Sequence, residues 1–174
     1  MGKIERKFMA HLLDANFGKE QPNWFRIGKD LEEFKVELNP DVETKKNILG
    51  ETTVSHKGYE ESAEVDPYYA NTDDTIFPKL QEIVDGRLTG DACKTSQLEV
   101  HMWEGDEDAG FVAYKQDCYV IPTSYGGDTS GYQIPFGIHP EGARVKGLYV
   151  PGTKTFTPDT AQPAAEPVAQ AEEE

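Results

Sequence analysis

The stretch "SQLEVHMWEGDEDAGFVAYKQDCYVIPTSY", residues 96–125, holds two runs of extended-chain residues around a turn-forming segment. In the first run, apolar and polar side chains alternate: Leu98, Val100 and Met102 against Gln97, Glu99 and His101. Such alternation is typical of a strand with one buried face, because successive side chains point to opposite sides. The intervening "GDEDAG" has the composition of a hairpin turn. The stretch therefore predicts an antiparallel hairpin in a mainly β domain.

Strand patterns continue on both sides of this hairpin. Towards the N-terminus, Phe34, Val36 and Leu38 alternate with Lys35 and Glu37, "NPD" makes a bend, and "VETKKNI" and "ETTVSHKGYE" have extended-chain composition. Towards the C-terminus, "GGDTSG" predicts a turn, "YQIPFGIH" a strand and "PEGA" a second turn. The final segments "RVKGLYV", "PGTK" and "TFTP" predict a closing hairpin.

One helix is predicted, over residues 75–89. Ile76, Leu80, Ile83 and Val84 form an apolar stripe at helical spacing, and Gly90 follows as a stop signal. Because strands surround this single helix, we expect two sheets packed against each other, with the helix covering an edge or a face.

The chain divides into three predicted parts. Residues 1–20 predict an N-terminal arm or short helix, and residues 21–158 predict the β domain. Residues 159–174 are rich in Ala, Pro, Gln and Glu, a composition that cannot bury enough apolar surface to fold, and they predict a disordered acidic tail.

Composition narrows the range of partners. The 174 residues carry 17 Lys and Arg against 32 Asp and Glu, a net charge of −15. Such a chain repels nucleic-acid phosphates and anionic membranes, and we expect no membrane partner. Cys93 and Cys118 form no disulfide framework and predict free thiols in a reducing compartment. The start of the chain lacks the pattern of a signal peptide, which predicts synthesis in the cytoplasm.

No catalytic or cofactor-binding signature is found, and we expect neither enzymatic activity nor a cofactor. The four histidines have no second His or Cys at ligand spacing, and "GDEDAGFVAYKQD" departs from a calcium loop at Phe111 and Asp117. Asp128, Thr129 and Ser130 sit in a glycine-rich turn without an identifiable base. Two alternatives remain open: a monomeric β-sandwich that stacks sugars on Trp24, Trp103 and tyrosines, and a metal-dependent hydrolase around His101.

An acidic segment precedes the helix. Residues 48–74 carry seven carboxylates and one lysine, a net charge of −6, yet they keep Val65 and three tyrosines. Tyrosines have an apolar body and a polar tip, which suits an interface with another protein. This segment therefore predicts an assembly arm, with these contact residues: Tyr59, Glu60, Glu61, Glu64, Val65, Tyr68 and Tyr69.

The order of these parts resembles the tail tube (major tail) proteins of long, non-contractile bacteriophage tails. The resemblance covers roughly residues 20–158: a strand pair, a long polar arm, a capped helix, and then the strand, hairpin and glycine-turn series that ends at "TFTP". Contractile-tail and type VI secretion tubes share the fold, and the long arm favours the non-contractile kind. The resemblance implies a β-sandwich or half-barrel subunit, six copies of which form a ring whose inner sheets join into one continuous β-barrel.

The same resemblance implies a structural role in the virion tail, after assembly in the host cytoplasm. Rings would stack around a tape-measure protein, between terminator and distal tail proteins, with a loop at about residues 43–74 reaching into the neighbouring ring. Double-stranded DNA would pass through the lumen without tight binding, because acidic or neutral walls do not neutralise phosphates. The candidate lumen-facing acids are Glu37, Glu43, Glu99 and Asp117.

Overall fold

The computed structural model describes residues 2–159, which form twelve strands, one α-helix and two short 3-10 turns. The prediction of a mainly β protein with one helix is confirmed. The first six strands precede the helix: β1 (Met9–Asp14), β2 (Trp24–Ile27), β3 (Val36–Glu37), β4 (Pro40–Lys46), β5 (Thr52–Tyr59) and β6 (Ser62–Val65). Helix α1 (Phe77–Gly86) follows. The other six strands are β7 (Lys94–Asp106), β8 (Gly110–Pro122), β9 (Gly126–Asp128), β10 (Gly131–Gln133), β11 (Phe136–Val150) and β12 (Thr155–Pro158).

Eight strands form one antiparallel sheet in the order β2-β1-β7-β8-β11-β6-β3, with β12 paired to β11. The β7–β8 hairpin lies at its centre, with Val100 opposite Ala113. At its turn, the carboxylate of Asp106 accepts the backbone N–H groups of Asp108 and Ala109 at 3.0 and 2.6 Å. The predicted central hairpin is therefore confirmed.

The two faces of this sheet are covered at opposite ends. Helix α1 packs over one end of one face, called here the first face. Its Leu80, Ile83 and Val84 join Val120 and Phe136 of the strands in one core cluster. At the other end, the second face buries a separate cluster: Ala10, Leu12, Trp24, Leu98, Val100, Phe111, Ala113 and Tyr149. The rest of the first face carries polar side chains that alternate with the apolar ones, including the half-buried Gln97, Glu99 and His101.

The second face is curved, and the described residues form one eight-stranded sheet together with two separate two-stranded sheets. Trp24 of β2 and Tyr149 of β11 line the same cavity, although three strands separate β2 from β11 in the sheet order. In a flat sheet, a spacing of about 4.8 Å would hold these strands roughly 19 Å apart. The long strands β7, β8 and β11 supply the twist and register shifts that allow this curvature.

Strand β1 lies between the two clusters and is buried on both faces. Ala10 and Leu12 belong to the second cluster, whereas Leu13 belongs to the first. The prediction of an arm or short helix over residues 1–20 is wrong for this segment, because its apolar residues are continuous rather than periodic and it pairs with both β2 and β7. The buried carboxylate of Asp14 then accepts the backbone N–H groups of residues 16, 18 and 23, which fixes the β1–β2 connection.

The prediction of a turn at "PEGA", residues 140–143, is also wrong. It lies inside β11, which runs unbroken from Phe136 to Val150 with a register shift between Glu141 and Val145. Gly142 takes φ +74, and its carbonyl accepts the side-chain amide of Gln116 at 2.9 Å. Turn-forming composition therefore marks a bulge here, because one strand can absorb extra residues without reversing direction.

The predicted helix and the turn in "GGDTSG" lie close to the residues where the sequence placed them. Helix α1 begins after Ile76, with Pro78 in its first turn, and ends at Arg87 in the left-handed conformation, before Gly90. The turn in "GGDTSG" joins β9 to β10, where the N–H of Ser130 donates to Asp128 at 2.8 Å. Apart from Asp159, the predicted tail (residues 159–174) lies outside the described residues. At ten residues α1 is too short to cross a bilayer, and residues 2–159 contain no other helix that could.

Candidate assembly surface

Strands β4 and β5 form a separate two-stranded hairpin, residues 40–59, outside the main sheet. Each residue in these two strands is exposed except Glu43 and Gly58, which are half-buried. At the base, the side-chain amide of Asn39 donates to the carbonyl of Glu60 at 3.0 Å, and the N–H of Glu60 donates back to Asn39. An isolated hairpin of two strands is marginally stable in water, so a surface that covers it would add to its stability.

The tip of this hairpin presents two aliphatic side chains to solvent. Ile48 is fully exposed and Leu49 is 77% exposed. The turn is held by Asn47, whose side-chain oxygen accepts the N–H groups of Leu49 and Glu51 at 3.0 Å each. Gly50 takes φ +81, which a residue without a Cβ adopts at no cost. The hydrogen-bonded turn therefore holds two large apolar groups away from the body of the protein.

The two faces of the hairpin differ in chemistry. Val42 and Val54 lie on one face and are exposed, at positions next to each other in the register. Glu43 lies on the other face between two lysines, at 2.8 Å from Lys57 and 3.3 Å from Lys45. Hydrogen bonds from Lys57 and then Lys45 lower the pKa of the Glu43 carboxyl. One face thus carries two exposed valines beside Thr44 and His56, and the other carries the ion pairs of Glu43.

The structure separates the predicted arm into two halves. Tyr59 and Glu60 are exposed at the hairpin base, Glu61 is half-buried, and Glu64 is exposed on β6. Val65 is only 2% exposed and Tyr68 only 6%.

Val65 and Tyr68 were expected to lie on an exposed arm, whereas the structure buries both in the core of their own chain. Strand β6 pairs with β11, with Val65 opposite Phe136, so its alternate side chains point into the core. The Tyr68 ring packs edge-on against Phe136, and its hydroxyl donates to Asp74 at 3.0 Å. Burial raises the pKa of Tyr68. Tyr69 is half-buried and bridges to Gln133, so within the predicted arm the part that stands clear of the body ends at about residue 60.

Sequence reasoning missed Ile48 and Leu49. The signal was present in "NILG", residues 47–50, because a turn flanked by Asn and Gly usually carries polar residues between them. Two bulky aliphatic residues in such a turn indicate contact with something outside the hairpin.

The four predicted lumen-facing acids do not share one surface. Glu99 and Asp117 project from opposite faces of the main sheet, Glu99 opposite Tyr114 and Asp117 opposite Ser96. Glu99 is engaged by His101 at 2.8 Å and by Arg144 at 3.3 Å. Glu37 is exposed on β3 beside Lys35, and Glu43 belongs to the projecting hairpin.

The part of the first face that α1 does not cover holds a polar cluster around His11. His11 is buried, and this burial lowers its pKa from 6.5 to about 4. The nearby Glu99 raises the pKa of His11, whereas Arg6, His101 and Arg26 lower it further. Within residues 2–159, no group of three His, Cys, Asp or Glu side chains is arranged to hold a metal ion.

The aromatic residues proposed for sugar stacking are not equivalent. Trp24 is buried in the second cluster, whereas Trp103 is partly exposed and stacks on His101 with ring centroids 4.5 Å apart. The clearest surface feature of the described chain is therefore the hairpin with its aliphatic tip. No protein-family model and no curated protein matches the chain.

Proposed function

We propose that this chain is a structural virion protein, a tail tube subunit of a long, non-contractile bacteriophage tail. Six copies form a ring, and rings stack into a hollow conduit for DNA, without catalysis. The observation that carries the proposal is the hairpin of residues 40–59, which stands clear of the core and ends in exposed Ile48 and Leu49. An exposed apolar tip of this kind indicates a site of contact with another molecule.

The energetics of the tip favour repeated assembly. Burying one aliphatic side chain of this size contributes roughly 1.5–3 kcal/mol. If six copies meet six copies at each ring junction, twelve such side chains leave water together. Weak contacts that must form simultaneously add up, so a ring junction can be firm although each hairpin binds weakly.

The sheet edges supply a means of closing the ring. Within residues 2–159, the outer edges of β2 and β12 pair with no further strand. Unpaired edges are templates for pairing with another chain. Joining an edge of one copy to an edge of the next would connect the sheets of six copies into a barrel around the lumen.

The charge of the chain fits the passage of DNA. At a net charge of −15 per copy, a ring of six repels phosphates rather than holding them. The partners in this proposal are further copies of the chain, a tape-measure protein inside the tube, and terminator and distal tail proteins at its ends. The location is the virion tail, assembled in the host cytoplasm.

The test compares three proteins at increasing concentration by sizing chromatography and negative-stain electron microscopy. The wild type should form rings and tubes, and I48S/L49S should stay folded without forming long tubes. The matched control I48V/L49I keeps the tip apolar and should assemble like the wild type. A wild type that stays monomeric at every concentration, or normal tubes from I48S/L49S, would overturn the proposal.

A monomeric carbohydrate-binding module is the second candidate, and the exposed ring of Trp103 is the observation that favours it. It predicts a monomer that binds a glycan and loses that affinity in Trp103→Ala. Glycan binding by a protein that never assembles would favour this candidate over the first.

A further inference from the structure

We propose that the hairpin tip of one copy inserts into a specific cavity of the next copy. This cavity, called here the acceptor cavity, has a volume of about 330 Å³. Its walls include six apolar side chains: Phe25, Ile27, Leu31, Val65, Tyr68 and Phe136. The inference rests on the proposed function, because it requires copies that stack head to tail, and it assigns the surface that receives the tip.

The size and chemistry of the acceptor cavity suit the tip. An apolar cavity of about 150 Å³ already accommodates a benzene ring. At about 330 Å³, the acceptor cavity has room for the side chains of Ile48 and Leu49 together. Two of its walls, Val65 and Phe136, belong to the helix-covered core, so a tip in contact with them would be shielded from water.

Charges at the rim complement charges beside the tip. The rim carries the carboxylates of Asp30 and Asp74 and a single lysine, Lys29. Lys46 immediately precedes the tip turn and Glu51 follows it, whereas Lys45 is already paired with Glu43. Neither Lys46 nor Asp30 has a salt-bridge partner within residues 2–159. Docking would bring these two unpaired charges of opposite sign together at the mouth of the cavity.

The base of the hairpin and the acceptor cavity adjoin different ends of β6. The hairpin joins the body next to Ser62, the first residue of β6, through the bonds of Asn39. The acceptor cavity begins at Val65, the last residue of β6, and continues through the segment from Tyr68 to Asp74. Because the tip and the acceptor cavity are different surfaces, their contact is head-to-tail, and such a contact can propagate into an open-ended stack instead of closing as a dimer.

A second apolar cavity is a weaker acceptor. It has a volume of about 460 Å³ and is lined by Trp24, Val100, Met102 and Tyr149. Its rim carries two basic side chains, Arg26 and Lys154, beside Asp73 and Asp74, so it offers no net attraction to the lysines of the tip. The difference in rim charge between the two cavities favours the acceptor cavity as the site that binds the tip.

A cysteine pair tests the docking directly. Leu49 is at the tip, and Thr72 is an exposed residue that lines the acceptor cavity. The native Cys93 and Cys118 are buried, and burial raises the pKa of both thiols, so the introduced pair reacts first under mild oxidation. Assembled L49C/T72C should give a ladder of dimers, trimers and larger species on a non-reducing gel, because each copy offers one cysteine in each direction.

The controls separate the two proposals. L49C alone and T72C alone should give no species larger than dimers, and L49C/Y125C, with its second cysteine at an exposed position outside the cavity, should give no ladder. If the wild type assembles but L49C/T72C forms no ladder, the docking inference is overturned and the proposed function stands. If the wild type never assembles, both are overturned.

Discussion

At the residue scale, His11 is a titratable side chain enclosed by the fold. Its ring lies edge-on to Phe34 with centroids 4.7 Å apart, and its backbone belongs to the doubly buried strand β1. Burial holds its pKa near 4, against 6.5 for a solvated histidine. The nearby carboxylate of Glu99 is already engaged by His101 and Arg144, so it compensates a charge on His11 only in part.

This predicts a loss of stability in mild acid. As the pH falls below 6.5, the unfolded chain protonates at His11 while the folded chain does not, so protons favour unfolding until the pH reaches about 4. The contribution to the free energy of unfolding at pH 5 is a loss of about 2 kcal/mol relative to pH 8. Urea denaturation at several pH values measures it. His11→Gln should flatten the profile between pH 7 and 5, whereas the exposed-site control His139→Gln should leave it unchanged.

At the element scale, the closing hairpin β11–β12 depends on a close approach at Gly147. A Cβ placed there would meet the carbonyl oxygen of Thr157 at 2.3 Å and the ring of Phe156 at 2.7 Å. The Phe156 ring thus lies across the glycine and seals the end of the second cluster. A side chain at this position would push β12 and its phenyl ring away from the sheet.

We therefore expect Gly147→Ala to lower the free energy of unfolding by about 1–3 kcal/mol through steric overlap. The matched control is Gly152→Ala in the turn between the same two strands, where a Cβ meets nothing within 4 Å. That control should change stability by less than about 1 kcal/mol. Urea denaturation of both variants decides it, and equal stability of the two would contradict the role given to Gly147.

Alternation predicted the elements that have one buried and one open face. Leu98 and Val100 are buried while Gln97 and Glu99 point away, and the sequence shows this directly. Strand β1 could not be predicted this way, because Ala10, Leu12 and Leu13 are covered on both faces and leave no alternation. The bulge at Gly142 was taken for a turn, because glycine supplies the same backbone freedom to both.

The candidate site was predicted only in part, and for a related reason. The acidic composition of residues 48–74 predicted an assembly arm, but charge does not show which strands pair with the main sheet. Strand β6 docks on β11 and takes Val65 into the core, whereas the hairpin before it remains outside. Local sequence could not separate these halves, because the difference depends on contacts with residues about 70 positions further along the chain.

At the scale of the whole molecule, the hairpin and the body should be energetically separate. Joining Glu43 to Ser55, which face each other in the register, through an Asn-Gly turn removes residues 44–54. Because these residues pack on nothing else in the described chain, the free energy of unfolding in dilute solution should change by less than about 1 kcal/mol.

The matched variant Val65→Ala, in the buried half of the predicted arm, should lower the free energy of unfolding by roughly 2 kcal/mol. Urea denaturation of the two variants side by side provides the measurement. A large loss of stability on shortening the hairpin would mean that it packs on the body after all.

The position of β1 between the two clusters has a kinetic consequence. Its amide hydrogens bond to β2 on one side and β7 on the other, while its side chains hold both cores. Neither core can open while β1 stays in place. The amide hydrogens of β1 should therefore exchange with deuterium only through global unfolding. Those of the hairpin of residues 40–59 should exchange orders of magnitude sooner. Mass spectrometry of exchanging peptides checks this, and early labelling of residues 9–14 would contradict it. A chain built this way is either whole or unfolded, so a partly melted form with one intact core should not accumulate.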